Sequence, residues 1–303
     1  MLPRRLLALC LALASSVGAA GCEPPPPKTG LGYTADAERA YQAAMEEFKA
    51  KNWIEAQAAF REVKKKYGYT RWARLAELRI ADADFEQEKY AEALRGYKAF
   101  IHDHKSDTQE VAYARSRAAE TQYREISDSL FLASSEERDQ AATLDAYREL
   151  TSFMRDYPEA RESPRVCALL EDVTARLVRH EIYVAKFYLH RDNFDAAVLR
   201  LQYALRNYVS EVQCSRTPRP DPPGSDLPPV DVPDADPANA FGLAPEALLL
   251  LGETYLKMGR REDAKTSFHV ILDRYPTTSQ AVAAKKYLDD LPKPNALSGA
   301  RKG

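Results

Sequence analysis

From residue 35 to about 210, apolar positions recur every three or four residues, as in Tyr41, Ala44, Met45 and Phe48, or Leu75, Leu78, Ala81 and Phe85. That spacing gathers them on one face of an α-helix, whereas a half-buried strand would alternate at every second residue. Glycine is rare in this stretch and proline is almost confined to Pro158 and Pro164, while Ala, Glu, Arg, Leu and Tyr dominate. The pattern predicts an all-α chain. Between Pro164 and Arg191 it runs unbroken, which predicts one helix of roughly 25 residues. The chain then turns at Asp192-Asn193 into a helix from Phe194 to Tyr208.

One phrase repeats: an aromatic, then Ala three positions on, a large apolar residue four beyond it, and another apolar residue three beyond that. It occurs as Trp53, Ala56, Phe60, Val63 and as Tyr90, Ala93, Tyr97, Phe100, then as Phe194, Ala197, Leu201, Ala204, and last as Ala264, Phe268, Ile271 with Arg261 in the aromatic place. Twelve residues before each marker alanine stands another small residue, namely Ala44, Ala81, Ala185 and Gly252. Two helices in close contact need such a pair. A further unit shows only its second half, Ala146, Leu150, Phe153 and Tyr157-Pro158, with its first helix near 109–127 and a polar loop around Ser134-Ser135-Glu136 between. These offsets, with Tyr255 inside a first helix and Pro276 closing a second, resemble the tetratricopeptide repeat. The resemblance implies a solenoid of about five helical hairpins over 35–290, each burying its apolar face on its neighbours. Residues 215–242 hold eight prolines. They predict a disordered surface insertion that hardly contributes to the core, and 291–303 read as a flexible tail.

The N-terminus adds an address. Arg4 and Arg5 precede an apolar run from Leu6 to Leu13, too short to span a bilayer, so residues 1–21 read as an export signal. Ala19, Ala20 and Gly21 lead into Cys22, the arrangement lipoprotein processing requires, although Ala19 stands where leucine is usual; the alternative is an ordinary signal with an incidental cysteine. Cys22 would become the mature N-terminus carrying a covalent diacylglycerol and an N-acyl chain, an anchor in outer-membrane lipid. Pro24 to Pro27 make residues 22–34 an extended spacer. Glu23, rather than Asp, favours the outer membrane over the inner.

Losing the signal leaves 41 basic against 45 acidic side chains, a net charge near −4 that does not suit a nucleic-acid partner. Two cysteines remain for an oxidising compartment, Cys167 and Cys214. They flank the turn at Arg191 almost symmetrically, so a helical hairpin would bring them level and permit a disulfide; the alternative is an unpaired buried Cys167.

Catalytic signatures are missing: there is no GxSxG, Gly-rich phosphate loop, HExxH or CxxC. His102, Asp103, His104 and Asp107 cluster, but two alternate histidines on a turn do not fix a tetrahedral site, so neither a metal nor another cofactor is expected. The chain reads as a binding protein. In tetratricopeptide folds the first helix of each hairpin lines a concave groove, and that rule would place Glu38, Tyr41, Met45, Phe48, Leu75, Leu78, Asp82 and Phe85 in a strip suited to an extended peptide with aromatic side chains.

The order of pieces narrows the resemblance: the lipobox, the spacer, Tyr41 to Phe60, Phe100-Ile101-His102, Asp139-Gln140 through Asp156-Tyr157-Pro158, and Tyr183-Val184-Ala185-Lys186-Phe187-Tyr188. The chain resembles the BamD family of lipoproteins, also called YfiO or ComL. The resemblance implies a non-enzymatic subunit of the β-barrel assembly machinery, lipid-anchored on the periplasmic face of the outer membrane. Its partners would be unfolded outer-membrane proteins and the POTRA domains of a BamA-type barrel protein, the latter docking at Arg191 and Arg200. The proline-rich insertion and the missing prolines after Phe100 depart from the family pattern. A generic tetratricopeptide lipoprotein adaptor in cell-envelope or peptidoglycan assembly is the alternative.

Overall fold

A computed structural model describes residues 30–106, 108–126, 137, 139–209, 214–221, 225–234 and 241–291. The export signal, Cys22, most of the spacer, Asp107, the Ser134-Ser135-Glu136 loop and the tail from 292 lie outside the described residues. Among those described there is no strand and there are eleven α-helices: α1 (Gly30–Lys49), α2 (Trp53–Lys66), α3 (Arg71–Glu86), α4 (Tyr90–Asp103), α5 (Thr108–Arg124), α6 (Ala141–Asp156), α7 (Ser163–Leu189), α8 (Phe194–Asn207), α9 (Ala244–Lys257), α10 (Arg261–Arg274) and α11 (Ser279–Asp290). The fold is an all-α, tetratricopeptide-like solenoid. Each helix packs on the next, and the first helices also touch one another, α1 on α3, α5 on α7 and α7 on α9. No described helix is long and apolar enough to cross a membrane.

The repeated phrase forms the second helix of each hairpin. Its marker alanine and the residues four and seven positions on are buried in all five: Ala56, Phe60, Val63; Ala93, Tyr97, Phe100; Ala146, Leu150, Phe153; Ala197, Leu201, Ala204; Ala264, Phe268, Ile271. The small residues opposite allow the helices to close. At Gly252 an added Cβ would stand 2.3 Å from the Phe268 ring, so that pairing admits no side chain. The residue five before the marker turns the chain in the left-handed region: Lys51, Glu88, Asp192 and Gly259 all have φ between 54° and 73°. Each second helix then ends on an aromatic cap, Tyr67, His104, Tyr157, Tyr208 or Tyr275, whose backbone N–H donates to the carbonyl four residues back. Thr70, Asn193 and Thr278 cap the starts of α3, α8 and α11 by accepting from the backbone N–H three residues on.

Two apolar clusters meet at α5, where Ala118 belongs to the N-terminal one and Ala119 to the C-terminal one. The long helix α7 supplies the spine of the second cluster from Val166 to Ala185. Near its start, Cys167 is disulfide-bonded to Cys214, with Cα atoms 5.8 Å apart.

The insertion departs from the expectation of a disordered loop clear of the core. Its residues 215–221 and 225–234 lie against the scaffold, and Leu227 is buried in the N-terminal cluster. The physical reason is charge: Arg71, Arg161 and Arg165 all find acceptors on this segment, donating to its carboxylates, its Ser225 hydroxyl or its bare carbonyls, and its own Arg216 pairs with Glu171 of α7.

Candidate partner-binding surfaces

Tyr41, Leu75, Leu78, Asp82 and Phe85, expected to line a concave groove, lie inside the stack instead, each less than a tenth exposed. Helix α3 explains the shift. It is flanked by α1, α2, α4 and α5, so most of its circumference is covered and little is left to face a ligand. Met45 and Phe48 remain half-buried, and Glu38 is exposed.

Asp82 has a different task. It accepts from Arg79 Nη1 at 2.6 Å, Tyr97 Oη at 2.6 Å and Tyr113 Oη at 2.9 Å. Arg79 is itself 1% exposed, so the pair is a buried ion pair stitched to two phenols. Burial opposes the charge on Arg79, but Asp82 and Tyr113 outweigh it and hold its pKa raised. Burial first, then the Asp82 charge, push Tyr97 and Tyr113 above the ordinary phenol range. A second anion, Glu120, lies between Arg117 Nη1 at 3.0 Å and Arg165 Nη2 at 2.6 Å. Burial would raise its carboxyl, yet the Arg165 hydrogen bonds and the neighbouring guanidiniums hold it below the usual carboxylate range. Arg117 also lies over the Phe85 ring at 3.9 Å. Fully buried Arg79 and the part-buried Arg117 and Arg165 thus face two buried carboxylates across the first helices of three hairpins. The strip is charged rather than apolar, and it borders a cavity of about 260 Å³ shared with Phe48 and with Pro228–Asp231 of the insertion.

Glu162, which precedes α7, is buried without a hydrogen bond to its Oε1, although Arg161 Nε lies 3.3 Å away. Burial pushes its carboxyl up to about 7 against the attraction of Arg161, and Asp221 adds to the rise. A folded-state pKa above the unfolded one means that its contribution is intact below about pH 4.5 and is lost as pH climbs through 7. Glu162→Gln is therefore expected to raise the urea midpoint at pH 8 and leave it nearly unchanged at pH 4.5. An equal change at both pH values would contradict the buried neutral acid.

At the other end, Arg191 is exposed at the turn after α7, with its guanidinium 3.6 Å above the Phe187 ring. Phe187 is 46% exposed, and Tyr183, one turn earlier, is 44% exposed. On α8, Leu199 and Tyr203 are likewise exposed one turn apart. Arg200 is part-exposed and already donates to buried Glu181 at 3.4 Å, across the α7/α8 hairpin. An apolar strip with cations on the C-terminal half is what a partner-docking face requires.

A family model described as outer membrane lipoprotein, YfiO, matches residues 34–216, from α1 through α8 to just past Cys214. The chain belongs to the YfiO family of outer membrane lipoproteins. A tetratricopeptide repeat model matches 246–278, the α9/α10 hairpin, so the proline-rich segment 225–234 falls between the two matched spans. Among YfiO-type relatives, the chain is 26% identical over 288 residues to the outer membrane protein assembly factor BamD of Caulobacter vibrioides, covering 95% of this chain and 81% of that one. It is 21% identical over 173 residues to the factors of the same name from Neisseria meningitidis and Neisseria gonorrhoeae, covering 56% of this chain and 65% of each of those.

The histidine cluster does not converge. His102 bonds Asp103 at 2.8 Å while His104 turns inward to Glu77 at 2.9 Å. Among the described residues, the group close enough for metal ligation is Cys167, Glu171 and Cys214, and both its thiols are held in the disulfide. Sequence reading missed the Arg79 and Glu120 networks. The available signal was a run of charged residues, Arg79, Asp82, Arg117 and Glu120, at positions where a first helix is otherwise apolar.

Proposed function

We propose that this chain is a scaffold subunit of a β-barrel assembly machine, anchored through acyl chains on Cys22 at the periplasmic face of the outer membrane. The observation that carries the reading is the alignment across 95% of the chain with a protein named as an outer membrane protein assembly factor. The work done is binding: a stacked solenoid is already ordered, so it loses little entropy when it grips a partner. Its N-terminal hairpins would receive unfolded outer-membrane proteins. Its C-terminal hairpins, through Phe187, Arg191 and Arg200, would dock on the POTRA domains of a BamA-type barrel protein.

The test is affinity capture of the tagged chain from detergent-solubilised outer membranes after a salt wash. A POTRA-containing barrel protein should be recovered, and Arg191→Glu should cut recovery about tenfold, about 1.4 kcal/mol, with an unchanged helical spectrum. The Cys22→Ala chain should leave the membrane for the soluble periplasm. Recovery of cell-wall proteins in place of the barrel protein would move the function to a generic envelope adaptor.

A further inference from the structure

Residues 225–234 read Ser-Asp-Leu-Pro-Pro-Val-Asp-Val-Pro-Asp. Three prolines keep such a segment extended and leave its carbonyls without internal partners. The scaffold answers with guanidiniums. Arg161 Nη1 donates to Ser225 Oγ at 3.0 Å and Arg161 Nη2 to the Pro228 carbonyl. Arg71 Nη1 pairs with Asp226 at 2.8 Å, and Arg165 Nη1 donates to the Asp231 carbonyl. Leu227 sits 8% exposed among the side chains of the N-terminal core. Alternate anchoring by one apolar side chain, one acid and bare carbonyls is how a groove reads an extended peptide.

We propose that the inner face of the first four hairpins is a receptor for acidic, proline-containing extended segments, and that the chain's own 225–234 is its resident occupant, exchangeable for such a segment on another protein. Two features make it exchangeable. The segment leaves the deepest guanidinium only partly answered: beside Pro228–Asp231, fully buried Arg79 borders the cavity, its Nη1 held by Asp82 while Nε and Nη2 make no hydrogen bond. A ligand whose carboxylate reached that guanidinium edge would gain a charge-assisted contact that 225–234 does not make. Tethering explains why the imperfect occupant stays seated. The disulfide at Cys214 holds the segment's approach to the scaffold, and a short tether supplies a local concentration on the order of millimolar. The inference is independent of which assembly the chain joins, since it concerns what the groove recognises.

The test uses a synthetic peptide of residues 225–234 and the full mature chain in three forms: unaltered, with 225–234 replaced by glycine and serine, and with Asp226→Ala plus Leu227→Ser. Fluorescence anisotropy should show the peptide binding both altered chains at least tenfold more tightly than the unaltered one. A peptide with both internal aspartates changed to asparagine should bind at least tenfold more weakly. Equal binding to all three chains, binding to none, or indifference to the aspartates would overturn the proposal. If the glycine-serine chain loses its helical spectrum, the double variant, which alters no helix, decides.

Discussion

Replacing Asp82 by alanine should lower the stability of the N-terminal hairpins by about 3–5 kcal/mol, the usual cost of breaking a buried ion pair from one side. Asp82 is the carboxylate paired with buried Arg79, and it is the acceptor for the hydroxyls of Tyr97 and Tyr113. Its removal strands one charge and two phenols together. Because solenoids unfold by neighbouring units, the loss should appear as an early urea transition of the first three hairpins rather than a uniform shift. The Arg79→Met, Asp82→Leu double variant should recover much of it, since apolar pairs of similar volume replace buried ion pairs at little cost. A single-variant loss below about 1 kcal/mol would show that the pair contributes almost nothing; the buried-pair scale sets the expectation.

The second large effect belongs to the disulfide. Cys167 and Cys214 are 47 residues apart in sequence. Closing a loop of that size in the unfolded chain removes entropy worth about 4 kcal/mol at 25 °C in the chain-entropy model. Cys167→Ala with Cys214→Ala should therefore cost up to about 4 kcal/mol, and reductant should produce the same drop in the parent chain while leaving the double variant unmoved. Unchanged urea midpoints in both comparisons would mean that the loop ends are held together by other means, the ion pairs of Arg216 with Glu171 and of Arg219 with Glu159 being the contacts at hand. An exported chain meets the oxidising conditions in which such a bond persists.

Local order along the chain was enough for the second helices. Each packs only on the helices just before and just after it in the chain, so a stripe of Ala, plus four, plus seven is a sufficient instruction; Ala146, Leu150 and Phe153 identified the most degenerate hairpin without help from its first half. The long helix α7, the turn at Asp192 and the possibility of joining Cys167 to Cys214 followed from the same counting. Two further periodic features accompany the phrase: a left-handed turn residue five before four of the five markers and an aromatic cap eleven after all five.

First helices resisted because they are covered from several sides. Along α3, Leu75, Leu78, Asp82 and Phe85 satisfy a groove-facing period and a core-facing period equally well, and only the positions of α1 and α5 decide between them. The proline-rich segment was misjudged for a related reason. Its composition shows that it cannot build a core of its own, which is true, but not that Arg71, Arg161 and Arg165 converge from distant parts of the chain to receive it. Periodicity encodes what a helix does with its immediate neighbours. Which charges remain facing one another once the hairpins stack is a property of the stack, and no window along the chain contains it.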